Sequence, residues 1–282
     1  MAAARKGIHH LELGSRDLER SRDFYRGLLG FDEVEVDEPR RDGRPTCWFA
    51  AGPALVKVVL VGEKGDPGEW LNDDLQVGLR HAGFKVGDID VQMRRLEAAG
   101  VEVLSPPRDV LGDVRIAFFL DPDGARLEFV QGNLRYEHID SPALVQAEAD
   151  RSLAPRDGAR FDHVGITVGD LGRALDLWCG RFGYEVIGDI RHHGDDRGFL
   201  MTYLAAGGSV LEVFSFDVPT LAPPAIEARQ LGLRGIGVTA YGAHREAAGL
   251  SEVGAAGLSD EAATGPSDVP DGVMVEILGD DV

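Results

Sequence analysis

Three histidines, His10, His81 and His163, are each followed seven residues later by an aspartate: Asp17, Asp88 and Asp170. Glu128 stands 47 residues after His81 and Glu212 stands 49 after His163, each inside an apolar stretch, whereas Lys57 stands 47 residues after His10. A fourth, worn copy begins at Gly235, where a histidine would stand, and closes on Glu276. Imidazoles and carboxylates together form a nitrogen and oxygen donor set that suits Ni, Co, Zn, Mn or Fe(II). Two of each neutralise a divalent cation and leave positions for substrate oxygens, so the ion can act as a Lewis acid. A lone strand histidine is ordinarily a core or surface residue, and a lone strand glutamate ordinarily faces solvent. Recurrence at matching places in repeated units points instead to a metal. His192 and His193, beside Gly194-Asp195-Asp196, have no partner at the repeat spacing and are expected at the surface of a loop.

The elements that must carry these residues repeat with them. Around His10, Leu11, Glu12 and Leu13 the alternation has the period of a strand, while Leu18, Ser21, Phe24, Tyr25, Leu28 and Leu29 follow helical spacing. Gly30 is placed to stop that helix, and apolar segments at 46–50 and 54–61 follow, separated by Gly52-Pro53. The same order returns after His81, with Gly100 as the stop, and after His163, with Gly183. In the second repeat, residues 115–120 and 125–130 flank Asp121-Pro122-Asp123-Gly124, a hairpin with proline and glycine where a turn favours them. The fourth repeat is the weakest: 235–240 and 272–278 read as strands, with a shortened helix and loops expected between them. Residues two apart on a strand share a face. Gly83 and Gly165 therefore lie beside His81 and His163, leaving space where a ligand or metal would need it.

At 282 residues the chain has room for two domains. The expected organisation is a first module over 1–131 (units 7–62 and 78–131), a polar linker over 132–160 and a second module over 161–282 (units 161–216 and 232–280, the last degenerate). Within the linker Ser141-Pro142 can cap and start a short helix running to about Ala149. A formal charge of −19 argues against binding nucleic acid or an anionic membrane surface. The N-terminus lacks the roughly 7–15-residue apolar stretch of a signal peptide, and no run approaches the roughly 20 apolar residues of a membrane span, so a cytoplasmic protein is expected. Cys47 and Cys179 lack metal-type spacing and are expected as reduced, buried thiols.

His10 through Asp17-Leu18 to Phe24-Tyr25, together with DPDGARLEF at 121–129, resembles the vicinal oxygen chelate superfamily of glyoxalases, bleomycin resistance proteins and extradiol dioxygenases. The resemblance covers nearly the whole chain. It implies an α+β fold of four βαβββ units in two tandem glyoxalase-like modules, whose curved mixed sheets surround a metal site with ligands from the first and last strand of each unit. Which units face each other decides the chemistry. Pairing the first with the second gives His10, His81 and Glu128, a triad like that of Fe(II) extradiol dioxygenases, but it also points Lys57 at the metal. Pairing the second with the third gives His81, Glu128, His163 and Glu212, resembling the set of glyoxalase I. The remaining positions are then His10, Lys57, Gly235 and Glu276, where Lys57 can pair with Glu276 in place of a metal. This second arrangement accounts for all eight positions and is the one expected.

The implied activity is that of a metal-dependent isomerase or lyase. The metal binds vicinal oxygens of a small carbonyl substrate, and Glu128 or Glu212 removes the adjacent proton to form an enediolate. The alternatives are the ring-cleaving dioxygenase and a ligand-sequestering resistance protein of the same fold. A fused pair of modules can act as a monomer or a homodimer.

Overall fold

The computed structural model describes residues 7–36, 43–110, 113–151, 153, 158–225, 227–239, 271 and 273–278. Unit 1 comprises β1 (Gly7–Ser15), α1 (Leu18–Arg22) running on as a π-helical turn (Asp23–Leu28), β2 (Asp32–Val34), β3 (Thr46–Ala50) and β4 (Leu55–Leu60). Unit 2 comprises β5 (Gly78–Lys85), α2 (Ile89–Ala98), β6 (Val103–Asp109), β7 (Arg115–Leu120) and β8 (Arg126–Gln131). A bridging segment carries β9 (His138–Ile139) and α3 (Pro142–Ala149). Unit 3 comprises β10 (Arg160–Thr167), α4 (Leu171–Leu175) with its own π-helical turn (Asp176–Arg181), β11 (Glu185–Arg191), β12 (Leu200–Ala206) and β13 (Ser209–Ser215). The described part of unit 4 holds β14 (Gly232–Thr239) and β15 (Met274–Leu278); the shortened helix expected between them falls outside the described residues.

The repeated aspartates are helix caps. Asp17, Asp88 and Asp170 each take an extended backbone and accept amide hydrogen bonds from the first helical turn: Glu19 and Arg20, Val91, and Arg173. They satisfy donors that a helix start otherwise leaves unpaired, which explains their fixed distance from the preceding strand. Gly30, Gly100 and Gly183 take φ values of 80°, 75° and 68° just past the helices, a conformation that favours glycine. Ser141 caps α3 through the Leu144 amide, with Pro142 in the first turn.

The units pair across the two halves of the chain. Units 1 and 4 form a six-stranded sheet in the order β15-β14-β1-β4-β3-β2, and units 2 and 3 form a nine-stranded sheet in the order β6-β7-β8-β5-β10-β13-β12-β11-β9. At each seam the first strands of two units run antiparallel, β1 against β14 and β5 against β10, and each lies parallel to the last strand of its own unit. The segment expected as a linker supplies the edge strand β9, whose Ile139 and His138 register with Gly188 and Asp189 of β11.

Alternation divides each sheet into two faces. Leu11, Leu13, Phe84, Leu127, Phe129, Leu211 and Val213 join residues of the helices, among them Phe24, Ile89 and Trp178, in one large apolar core. His10, His81, Glu128, His163, Glu212 and Glu276 occupy the opposite face and are buried. The motifs that carried the resemblance are structural. Tyr25 donates a hydrogen bond to Asp121 (2.8 Å), Ser15 donates one to Asp123 (2.6 Å), and Asp121 accepts from the amides of Asp123 and Ala125. The hairpin turn of unit 2 is thereby tied to unit 1.

Candidate metal centre

In the nine-stranded sheet the seam places His81 opposite Gly165 and His163 opposite Gly83. A Cβ on Gly165 would stand 2.3 Å from Cε1 of His81, and one on Gly83 would stand 2.0 Å from Cε1 of His163. The room left by each glycine therefore houses the imidazole of the facing unit, not the open space for a metal or ligand that the sequence suggests. The two rings meet with Nε2 atoms 2.9 Å apart.

Glu128 and Glu212 enter from the strands on either side of the seam. Glu128 Oε2 lies 2.9 Å from His163 Nε2 and 3.3 Å from His81 Nε2, while Glu212 Oε2 lies 3.5 Å from each. Donor atoms of His81, His163 and Glu212 all lie within 4.8 Å of one another. Ligands bound at about 2.0–2.1 Å to one ion stand about 2.8–3.4 Å apart in octahedral or tetrahedral arrangements, so these contacts have the scale of a coordination shell. Two imidazoles and two carboxylates also balance a divalent charge, and the residues therefore fit such an ion.

The surroundings orient these side chains. Nδ1 of His163 lies 3.1 Å from Oδ2 of the preceding Asp162, a contact that fixes the ring and leaves Nε2 directed inward. Asp162 is itself held at a pKa of about 2: burial opposes its charge, but the bond to His163 and the nearby Lys85 outweigh it. Burial likewise disfavours a charged His163, yet Glu212, Asp162 and Glu128 raise its proton affinity well above the ordinary imidazole range. Glu128 is held near 2 against the cost of burial by its contacts with His163 and His81. These shifts describe buried carboxylates, Glu128 and Asp162, that favour positive charge on the His163 ring between them. Phe118 meets His81 edge-on (5.5 Å between centroids) and Phe214 stacks against it (5.8 Å), making the walls apolar.

The six-stranded sheet arranges its four matching positions differently. His10 sits opposite Gly237, and Glu12 sits opposite Gly235, the position without a histidine. Lys57 Nζ lies 3.2 Å from both Glu12 Oε2 and Glu276 Oε2, Arg234 Nε donates to Glu12 Oε1 at 3.0 Å, and His10 Nε2 lies 3.4 Å from Glu276 Oε2. His10, Glu12 and Glu276 are close enough together to hold an ion, but the ammonium of Lys57 already stands between the two carboxylates and repels one. The alternative triad of His10, His81 and Glu128 is not assembled: His10 belongs to one sheet, His81 and Glu128 to the other. His193 lies at the surface beside Glu137, whereas His192 is half-buried and stacks on Phe199. Cys47 is buried, Cys179 half-buried, and both are free thiols.

Asp162, Glu12 and Arg234 were not singled out from the sequence. The clue to Glu12 is its place two residues after His10, where the second and third units have glycine.

Residues 7–129 and 160–277 match the model of the Glyoxalase/Bleomycin resistance protein/Dioxygenase superfamily, and the chain belongs to that superfamily. It is 35% identical over 119 residues to the anthracycline biosynthesis protein DnrV of Streptomyces peucetius, a match covering 40% of this chain and 42% of that protein. The chain thus spans about two fifths of that relative's length. The uncharacterized protein YwkD of Bacillus subtilis is 32% identical over 126 residues, 45% of this chain and 97% of its own. Among solved structures, glyoxalase I from Zea mays superposes with a TM-score of 0.61 at 17% identity, covering 87% of this chain and 78% of that one, a likeness of fold. Among the described residues no helix is long and apolar enough to cross a membrane.

Proposed function

We propose that this protein is a divalent-metal-dependent enzyme of the glyoxalase type, which moves a proton between neighbouring carbons of a small substrate bearing vicinal oxygens. The observation that carries this reading is the convergence of His81, Glu128, His163 and Glu212 on one buried point between two units. A divalent ion held by these four would polarise the substrate oxygens as a Lewis acid. Asp162 keeps the His163 ring in the tautomer that presents Nε2. Glu128 is pinned by both imidazoles, whereas Glu212 stands 3.5 Å from each. Glu212 is therefore assigned as the base, taking the substrate proton on Oε2 and returning it to the adjacent carbon, with Glu128 as the fixed ligand. Phe118 and Phe214 exclude water and strengthen the electrostatics of that transfer. All four ligands come from one chain, so the centre needs no second subunit.

Elemental analysis of the purified protein tests the assignment. One equivalent of Ni, Co, Zn or Mn is expected, lost in His81→Ala and in His163→Ala but kept in His10→Ala. Unchanged metal content in the first two variants would overturn the site. Glu212→Gln is expected to keep measurable metal and to lose about 10²-fold or more of solvent-deuterium exchange into hydroxyacetone, a loss typical of a removed general base. Iron with oxygen uptake against catechol would favour the dioxygenase, and metal-free protein with a tightly held ligand the sequestering protein.

A further inference from the structure

The residue before each histidine place is a β-bulge. In the pairing of β5 with β10, Phe161 and His163 register with the adjacent Phe84 and Gly83, so Asp162 is an extra residue on its strand. Further along, the adjacent Gly165 and Ile166 register with His81 and Leu79, so Arg80 is the extra residue on the other. The pairing of β1 with β14 repeats this at His9 and at Arg234. Neighbours on a regular strand point to opposite faces, and a bulge re-aims the extra side chain. His9, Arg80, Asp162 and Arg234 are thereby released from the alternation beside the two centres.

Three of the four turn onto a residue of their own centre. Asp162 Oδ2 meets His163 Nδ1 at 3.1 Å, His9 Nδ1 meets His10 Nδ1 at 3.0 Å, and Arg234 Nε donates to Glu12 at 3.0 Å. Arg80 turns away. Its buried guanidinium donates to the carbonyls of Leu71, Asp73 and Gly78 and to Gln76 Oε1, at 3.1–3.2 Å, and so holds the chain leading into β5. His81 therefore lacks what its counterpart has: its Nδ1 is buried and meets no hydrogen-bond partner among the described residues. Beyond the contacts of Nε2, packing against Phe118 and Phe214 is what orients this ring.

The difference matters once an ion takes Nε2. A neutral imidazole carries one ring proton, so with metal on Nε2 that proton must stand on Nδ1. At His163 it points at a carboxylate, which fixes the ring and strengthens it as a donor to metal. At His81 it becomes a buried N–H with no acceptor, a cost that weakens binding by about tenfold or more. In the apoprotein the His81 proton can sit on Nε2 instead, 3.3 Å from Glu128, and the ring then loses nothing. The penalty falls on metal binding.

We propose that the centre holds its ion unequally, with His163 as the anchoring imidazole and His81 as the weak one, and that the bulge residues Asp162 and Arg80 set this difference as positioning residues. This rests on the metal-centre reading, and the test separates the two. Zinc affinity of the full chain is measured by competition with a chromophoric chelator. His81→Ala and His163→Ala both lose the ion on purification, and titration ranks them: His163→Ala is expected to bind zinc at least about tenfold more weakly than His81→Ala. Asp162→Ala should weaken zinc by about 10–100-fold, the scale of a lost partner behind a ligand, and should add no further loss to His163→Ala. Asp162→Asn keeps an acceptor oxygen and should fall between Asp162→Ala and the parent. Arg80→Asp and Arg80→Ala lose the same guanidinium, but only the first offers His81 a carboxylate, and it is expected to bind zinc at least about tenfold more tightly than the second. Equal losses in the two histidine variants, parent-like affinity in Asp162→Ala, or equal affinity in the two Arg80 variants overturns the unequal grip and leaves the metal centre standing. A parent chain that binds no zinc overturns both readings.

Discussion

The two seams of this molecule share one architecture and hold opposite kinds of centre. In the nine-stranded sheet the four facing positions are His81, His163, Glu128 and Glu212, with no lysine or arginine among them; in the six-stranded sheet they are Gly235, His10, Glu276 and Lys57. Buried carboxylates need compensating charge, because removing them from water costs several kcal/mol each. One seam leaves that charge to come from outside. The other supplies its own, Lys57 between Glu12 and Glu276 and Arg234 on Glu12. Where Gly235 stands in the histidine's place, Met274 crowds it, and where Lys57 stands in the carboxylate's place, its ammonium bridges Glu12 and Glu276.

The largest effect that can break this comparison is removal of the internal cation. Lys57→Ala takes the shared ammonium from two buried carboxylates, Glu12 and Glu276, and is expected to destabilise the protein by about 3–5 kcal/mol in chemical denaturation. Part of that loss should return on adding zinc, which His10, Glu12 and Glu276 can then hold, and the recovery should vanish in Lys57→Ala/Glu276→Gln. A Lys57→Ala protein as stable as the parent would show that the ammonium is not the substitute for a metal.

A smaller effect tests the tie between the two sheets. Asp121 is buried under Tyr25, and burial, opposed by its bonds to Ala125 and Tyr25, pushes its carboxyl up to about 6 from an ordinary 3.8. A raised folded-state pKa means the fold favours the protonated form. The contribution is complete below about pH 4 and is lost as pH rises through 6, a decline of about 3 kcal/mol across that interval. Asp121→Asn should flatten the fall in unfolding free energy between pH 4 and 6. Because Asp121 bonds to Tyr25, Asp123 and Ala125 and to none of His81, Glu128, His163 and Glu212, the variant should leave zinc affinity unchanged. An unaltered pH slope would assign the titration to another group.

Much of this was legible in the chain because it is local chemistry. The glycines at 30, 100 and 183, the Ser141-Pro142 helix start and the Asp121–Gly124 turn each carry their geometry in two to four neighbouring residues. The candidate ligands were legible because they repeat. The regular spacing of Asp17, Asp88 and Asp170 was also visible, but their work as helix caps depends on where each helix begins. What escaped is non-local, the edge strand in the bridge and Arg234 reaching Glu12 across the seam; Asp162 adjoins His163 in the chain, but which way its carboxylate turns is settled only in the fold. The pairing of units did leave a trace. Each histidine faces the position two residues after the histidine place of its partner, so a pairing of units 1 and 2 would set Glu12 against His81. In the observed pairing every bulky side chain at these places faces a glycine: His81 and Gly165, His163 and Gly83, His10 and Gly237, Glu12 and Gly235.

Those glycines supply the finest test, since the same substitution can be made at both seams. A Cβ at 165 would stand 2.3 Å from Cε1 of His81, and one at 237 would stand 2.1 Å from Cε1 of His10. Either ring must move aside, and overpacking of this kind costs about 1–3 kcal/mol in thermal or chemical unfolding. Gly165→Ala and Gly237→Ala should therefore be destabilised alike in the apoprotein. They should part company in metal affinity: displacing His81 removes a ligand and weakens zinc by about tenfold or more, while displacing His10 leaves it untouched. If Gly237→Ala weakened zinc as much as Gly165→Ala, the six-stranded seam would be sharing in metal binding, and Lys57 would have to leave Glu276 when the ion enters.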